Sequence, residues 1–180
     1  APALIAVITT IQPPTPAVRE LNRWLGEVGG RLVIAGDKKG PAAYDLPHTD
    51  FLSLAAQQAS GFALAELLPT GHYARKNIGY LHAIRAGAPC IYETDDDNAP
   101  LPAWAPRTET VAAPRTVAGA GWINAYRYFS ADRNIWPRGF PLEQLAADPA
   151  PASATAASFR APVQQGLVNG SPDVDAVWRL

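Results

Sequence analysis

The sequence predicts an open α/β sheet flanked by helices, with a ligand site at the carboxyl ends of its strands. Three observations carry that reading. Residues 3–11 and 31–37 are continuous apolar, β-branched runs, the pattern of strands buried on both faces. A stretch with helical spacing lies between them, which makes a βαβ unit of ordinary size. A third apolar run, Pro89-Cys90-Ile91-Tyr92, ends in Glu93-Thr94 and three consecutive aspartates, Asp95, Asp96 and Asp97. Carboxylates placed just past a strand and before the breaker Asn98-Ala99-Pro100 are how an α/β protein presents hard oxygen ligands.

The elements follow in order. After the first strand, Thr15 is the candidate cap of a helix, Pro16 suits its first turn, and Val18, Leu21, Leu25 and Val28 form its apolar stripe. Gly29-Gly30 ends it. Arg31–Asp37 is the second strand, reached by the right-handed crossover that topology imposes. Asp50–Leu54 reads as a short strand. One helix is predicted from about Ala55 towards Leu67, ending before Pro69, and another from about Tyr73 to Arg85, stopping at Gly87. Beyond residue 98 the pattern becomes irregular. Residues 99–116, with four prolines, read as a long ordered excursion, and the Ala/Pro/Ser-rich residues 146–162 as a mobile loop. The expected organisation is a single domain over 1–180, with a nucleotide-binding half at 1–98 and an irregular acceptor-side part at 99–180.

Composition narrows the function. The 180 residues carry 15 Lys+Arg against 16 Asp+Glu, a balance that argues against a nucleic-acid surface. The single cysteine, Cys90, excludes an intrachain disulfide and a cysteine-based zinc cluster. No run approaches the roughly 20 apolar residues of a membrane helix, and no basic region precedes the apolar residues 3–8, so a cytoplasmic protein is the default expectation. Neither GxGxxG nor GxxxxGK[ST] occurs, which disfavours dinucleotide enzymes and P-loop NTPases.

Adjacent carboxylates repel, and a divalent cation that bridges to a diphosphate relieves that repulsion. A solvated acidic loop is the plainer alternative. Thr9 and Thr10 end the first strand beside the same crevice. Asp37 ends the second and is placed to accept hydrogen bonds from a base or ribose, or simply to form a turn. Arg75 and Lys76 fall early in a helix, where a cation opposes the macrodipole; an anionic ligand would reverse that penalty, with Asn77 and Gly79 facing a sugar nucleotide. Two further stretches, Asn134–Leu142 and Gln164–Ala176, mix glycine, proline and charge without periodicity, as site-lining segments do.

These stretches resemble the STELLO family of glycosyltransferase-like proteins. The resemblance rests on Val7-Ile8-Thr9-Thr10, Ser53-Leu54 with Gln57-Gln58, Leu67-Leu68-Pro69 with Tyr73–Tyr80, Asp95-Asp96, Trp136-Pro137-Arg138-Gly139, and Gln164–Gly170 with Pro172–Ala176. More distantly the chain is similar to the reversibly glycosylated polypeptides, the UDP-arabinopyranose mutase family, through the aspartate trio, Arg138-Gly139-Phe140-Pro141 and the Pro-Asp-x-Asp-Ala segment. That family's glycosylated arginine has no counterpart in Glu143-Gln144-Leu145. Both resemblances imply a GT-A type, Rossmann-like mixed sheet, a UDP-sugar donor, a hydroxyl acceptor such as a carbohydrate, and Mn²⁺ or Mg²⁺ at Asp95 and Asp97. They imply that Thr9, Thr10, Asp37, Arg75, Lys76, Asn77, Asp95 and Asp96 line the nucleotide side. Asp173, Asp175 and Arg138 would be the catalytic candidates, with further site residues expected after Leu180. A non-catalytic nucleotide-sugar-binding scaffold is the alternative, and a nucleotidyltransferase the third reading.

Overall fold

The computed structural model describes residues 4–119 and 121–166. They fall into two compact units, one up to Pro106 and one from Arg107. In the first unit the elements are β1 (Ile5–Thr10), α1 (Pro16–Glu27), β2 (Arg31–Gly36), β3 (Thr49–Leu52), α2 (Leu54–Gln58), α3 (Leu64–Leu67), a 3₁₀ turn (Tyr73–Arg75) running directly into α4 (Lys76–Arg85), and β4 (Ile91–Glu93).

The four strands form one parallel sheet in the order β3-β2-β1-β4. The strand residues alternate between two cores, as a pleat requires. Ala6, Ile8, Leu32 and Ile34 meet Val18, Leu21 and Leu25 of α1 on one face. Ile5, Val7 and Val33 meet Ala83 of α4 on the other. Each buried Leu, Ile or Val contributes about 1.5–3 kcal/mol. This two-sided burial is why the strand sequences lack polar alternation.

The helix boundaries have local causes. Thr15 Oγ1 accepts from the Val18 amide at 3.1 Å and Pro16 opens α1. At the other end Gly29 adopts φ +68°, and the Gly30 amide returns to the Leu25 carbonyl at 2.7 Å. Helix α4 packs so close to β1 that a Cβ on Gly79 would lie 2.5 Å from Val7 Cγ1. That close approach brings the first turn of α4 over the carboxyl ends of β1 and β4.

Three expectations are corrected. The single helix over 55–67 is two short helices, because the chain turns at Ser60-Gly61, where Gly61 has φ +76° and Ser60 Oγ accepts from the Phe62 amide. Among the described residues the sheet is parallel rather than mixed, and antiparallel pairing occurs there only in the second unit, in two separate two-stranded ladders. There β5 (Thr110–Val111) pairs with β8 (Phe159–Arg160), and β6 (Arg115–Val117) with β7 (Ala152–Ala154). Residues 146–162 therefore hold two strands rather than a mobile loop. Backbone ladders need no large side chains, so low complexity did not prevent pairing. The Ala161 amide bonds the Glu109 carbonyl at 2.6 Å, and Arg160 bonds the Glu109 carboxylate at 3.0 Å. Trp136 and Phe140 of this unit are buried.

Candidate functional site at the carboxyl edge of the sheet

Strand β1 has β2 on one side and β4 on the other, so chain order reverses at β1. Open α/β sheets bind ligands outside the strand carboxyl ends at such a switch point. A crevice of about 450 Å³ lies there, lined by Thr9, Thr10, Ile11, Asp37, Lys39, Gly71, His72, Tyr73 and Asp95–Asp97. A hollow of similar size on the flank of α1, beside Pro47 and His48, lies away from the strand ends.

The three aspartates are held differently. Asp95 Oδ1 accepts from Lys76 Nζ at 2.9 Å and from the Tyr73 hydroxyl at 2.9 Å. Lys76 Nζ also donates to the Tyr73 oxygen at 2.7 Å, to the Glu93 carboxylate and to the Thr94 carbonyl. Asp96 Oδ2 accepts from the Thr10 hydroxyl, while the Asp96 carbonyl accepts from Thr15, the residue that caps α1. Asp97 is exposed and faces the crevice, and among the described residues it makes no hydrogen bond or ion pair. The loop after β4 is thus fixed to β1, α1 and α4, leaving Asp97 and one oxygen of Asp95 open.

Burial pushes the Asp95 carboxyl up, but the Lys76 and Tyr73 donors outweigh it and hold the group below its ordinary value. Burial, then the neighbouring Asp95 and Glu93 carboxylates, push the Tyr73 phenol well up, so it stays a donor at neutral pH.

Among the described residues no three carboxylate, imidazole or thiolate groups converge on one point. Two carboxylates fit a hard cation whose remaining positions are filled by phosphate oxygens and water, the usual manner of Mg²⁺ at nucleotides. They do not make an all-protein cage.

The other predicted residues divide. Thr9, Thr10 and Asp37 line the crevice with the aspartates. Yet Thr9 Oγ1 is committed to the Ala35 carbonyl at 2.8 Å. Asp37 accepts from the backbone amides of Lys38 (2.7 Å), Gly71 (2.6 Å) and His72 (3.1 Å), so it anchors the 71–72 wall instead of presenting an open acceptor. Lys76 lies beneath the acidic loop, 1% exposed, rather than at an anion. Arg75 is not a crevice residue. Its guanidinium is buried against Gln57 Oε1 and the carbonyls of Ala65 and Leu68. Those carbonyls end α3, and their negative dipole ends offset the cation's poor placement at the start of α4. Asn77 is exposed and bonds the Ala74 carbonyl at 2.8 Å. Arg138 stands in the second unit on an exposed turn before Gly139 (φ +77°). Asp173 and Asp175 lie outside the described residues, as does nearly all of the 164–176 motif.

The sequence assigns no site role to Lys39, His72 or Tyr73, although Tyr73 belongs to the Tyr73–Tyr80 segment of the family resemblance. Tyr73 had a signal: it precedes Lys76 by three residues, the spacing that puts two side chains on one helical face.

Acid should act through Asp37 and Asp95. For Asp37, burial raises the carboxyl but the Gly71, Lys38 and His72 amides lower it further. Both groups therefore bind protons more weakly folded than unfolded. The stability they contribute is present above the ordinary aspartate range, near pH 4, and is lost as pH falls through and below it. Urea midpoints should be level from pH 7 to 5 and fall below about pH 4. Asp37→Asn should shrink that fall.

A parallel sheet between helices, with an acid-lined crevice at its switch point, defines an α/β protein compatible with a Rossmann-like fold. No family model matches the chain. It is 30% identical over 191 aligned positions to the probable glycosyltransferases STELLO1 and STELLO2 of Arabidopsis thaliana, an alignment covering 96% of the chain. The chain belongs to the STELLO family. It spans about a quarter of the length of these relatives, 24% of each. No helix among the described residues is long and apolar enough to cross a membrane.

Proposed function

We propose that this chain is the donor-binding part of a GT-A type glycosyltransferase, taking a nucleoside-diphosphate sugar, with UDP the expected nucleotide, and passing the sugar to a hydroxyl acceptor. The observation that carries the reading is the crevice at the β1/β4 switch point, where Asp95 and Asp97 face open space and Thr10 and Asp37 fix the surrounding loops. The relatives named as probable glycosyltransferases support the same class.

In this reading Asp95 and Asp97 hold Mn²⁺ or Mg²⁺. Held by these two residues, such a cation would supply the positive charge that a diphosphate leaving group needs. The chain's own work is positioning. Thr10 and Thr15 fix Asp96 and hence the loop between its two ligating neighbours. Asp37 fixes the opposite wall. If the transfer inverts the anomeric centre, the acceptor hydroxyl needs a carboxylate to take its proton. Asp175 is the candidate, from the family resemblance.

Calorimetric and thermal-unfolding titration of the chain with UDP and GDP, with and without Mn²⁺, tests the proposal. UDP should bind in a metal-dependent way and raise stability by about 2.7 kcal/mol at 100-fold excess over Kd. Equal, metal-independent responses to both nucleotides, or none, would overturn it. Metal-dependent binding without sugar transfer or donor hydrolysis would assign a donor-binding scaffold instead.

A further inference from the structure

The ammonium beneath the acidic loop has more partners than a simple counter-ion needs. Lys76 Nζ holds three consecutive residues at once, through the Glu93 carboxylate, the Thr94 carbonyl and Asp95 Oδ1. Its own side chain is 1% exposed, whereas those of Glu93 and Asp95 are 52% and 47% exposed. The cation is therefore the fixed point and the carboxylates are arranged around it. The Tyr73 hydroxyl adds a second bond to the same Oδ1, and its ring lies 4.8 Å from Nζ. Both donors take one oxygen of Asp95 and leave Oδ2.

We infer that Lys76 is a positioning residue of the acidic site: by holding Oδ1 of Asp95 it turns Oδ2 to the crevice as a single-oxygen ligand of fixed direction. Partners that orient a metal-binding side chain without touching the metal commonly govern affinity 10–100-fold. The inference rests on the proposed cation site at Asp95 and Asp97 and assigns how that site is built.

Charge alone predicts the opposite sign. This loop carries four carboxylates (Glu93, Asp95, Asp96 and Asp97), and deleting the one ammonium bonded to them among the described residues leaves a more negative site. A cation should then bind more tightly. Orientation predicts weaker binding. The two accounts separate on one substitution.

The experiment is a titration of Mn²⁺ followed by the loss of its free-ion electron paramagnetic resonance signal, with UDP present and absent. It is done on the unaltered chain and on Lys76→Met, Lys76→Arg and Tyr73→Phe, with circular dichroism confirming the fold of each. Lys76→Met fills the buried slot without charge and should weaken Mn²⁺ about 10–100-fold. Lys76→Arg keeps charge and donors and should recover part of the loss. Tyr73→Phe keeps the ring over Nζ, removes the hydroxyl that donates to Asp95 and Glu93 and accepts from Nζ, and should weaken Mn²⁺ by less, in the same direction. Should Lys76→Met not fold, Tyr73→Phe decides, since its side chain sits on an exposed turn. Unchanged or tighter Mn²⁺ binding in the folded variants overturns the inference while leaving the donor site standing. An unaltered chain that binds neither Mn²⁺ nor UDP overturns the donor site and this inference together.

Discussion

Replacing Asp95 and Asp97 together by alanine should abolish metal-dependent UDP binding, with a loss of at least about 100-fold in affinity. The size follows from what is removed. Residues that merely orient a metal ligand are worth 10–100-fold, and these two carboxylates are the proposed ligands themselves. The single substitutions should differ in stability. Asp97 is exposed and makes no bond among the described residues. Its loss relieves repulsion with its neighbours and should leave stability within about 0.5 kcal/mol. Asp95 carries the ion pair with Lys76, but its side chain is 47% exposed and Glu93 remains to accept from the ammonium. Its loss should cost at most about 1 kcal/mol. Calorimetry with UDP in the presence of Mn²⁺ measures the affinity, and urea unfolding the stability. A double variant that keeps its metal-dependent affinity would remove the aspartates from the donor site.

The framework of the sheet was legible because its signals are local. The runs at 3–11 and 31–37 can be buried on both faces only in a sheet covered twice, and the Thr15-Pro16 start and Gly29-Gly30 stop of α1 are capping chemistry written in adjacent residues. The acidic trio was legible as a strand-end feature for the same reason. What single residues do at the site was less legible, because it depends on partners distant in sequence. Asp37 sits at the right strand end, yet its Oδ2 is taken by amides 34 and 35 residues away. Arg75 and Lys76 are adjacent cations with the same sequence argument for an anionic ligand. A step of one residue where the 3₁₀ turn meets α4 sends them to different surroundings, Arg75 to the end of α3 and Lys76 to the acidic loop. The strands within 146–162 were hidden because Ala and Ser carry almost no pattern; their pairing is set by the backbone and by distant partners at 110–117.

Arg75→Met should destabilise the chain by about 2–4 kcal/mol and leave the UDP affinity of the folded protein within about twofold of the unaltered one. The guanidinium is 2% exposed and serves Gln57 Oε1, the Ala65 carbonyl and the Leu68 carbonyl. Methionine fills similar space but donates nothing, so these acceptors lose their partner in a region water does not reach freely. A buried polar group left unsatisfied costs about 1–3 kcal/mol. The terms do not add fully, because removing a buried charge also removes its desolvation penalty. The carboxyl end of β2 should nevertheless stay in place. Gln57 Nε2 still donates to the Gly36 and Leu52 carbonyls, both at 2.7 Å, and Asp37 follows directly from Gly36. The crevice wall that Asp37 anchors is therefore kept, and nucleotide binding with it. Arg75→Lys should fall between, since one ammonium cannot reproduce the guanidinium's spread of donors. Urea unfolding and UDP calorimetry on the same preparations separate the two roles. Unchanged stability with a tenfold loss of UDP affinity would return Arg75 to the phosphate; lost stability with retained affinity would fix it as the buried tie between α3, α2 and the start of α4.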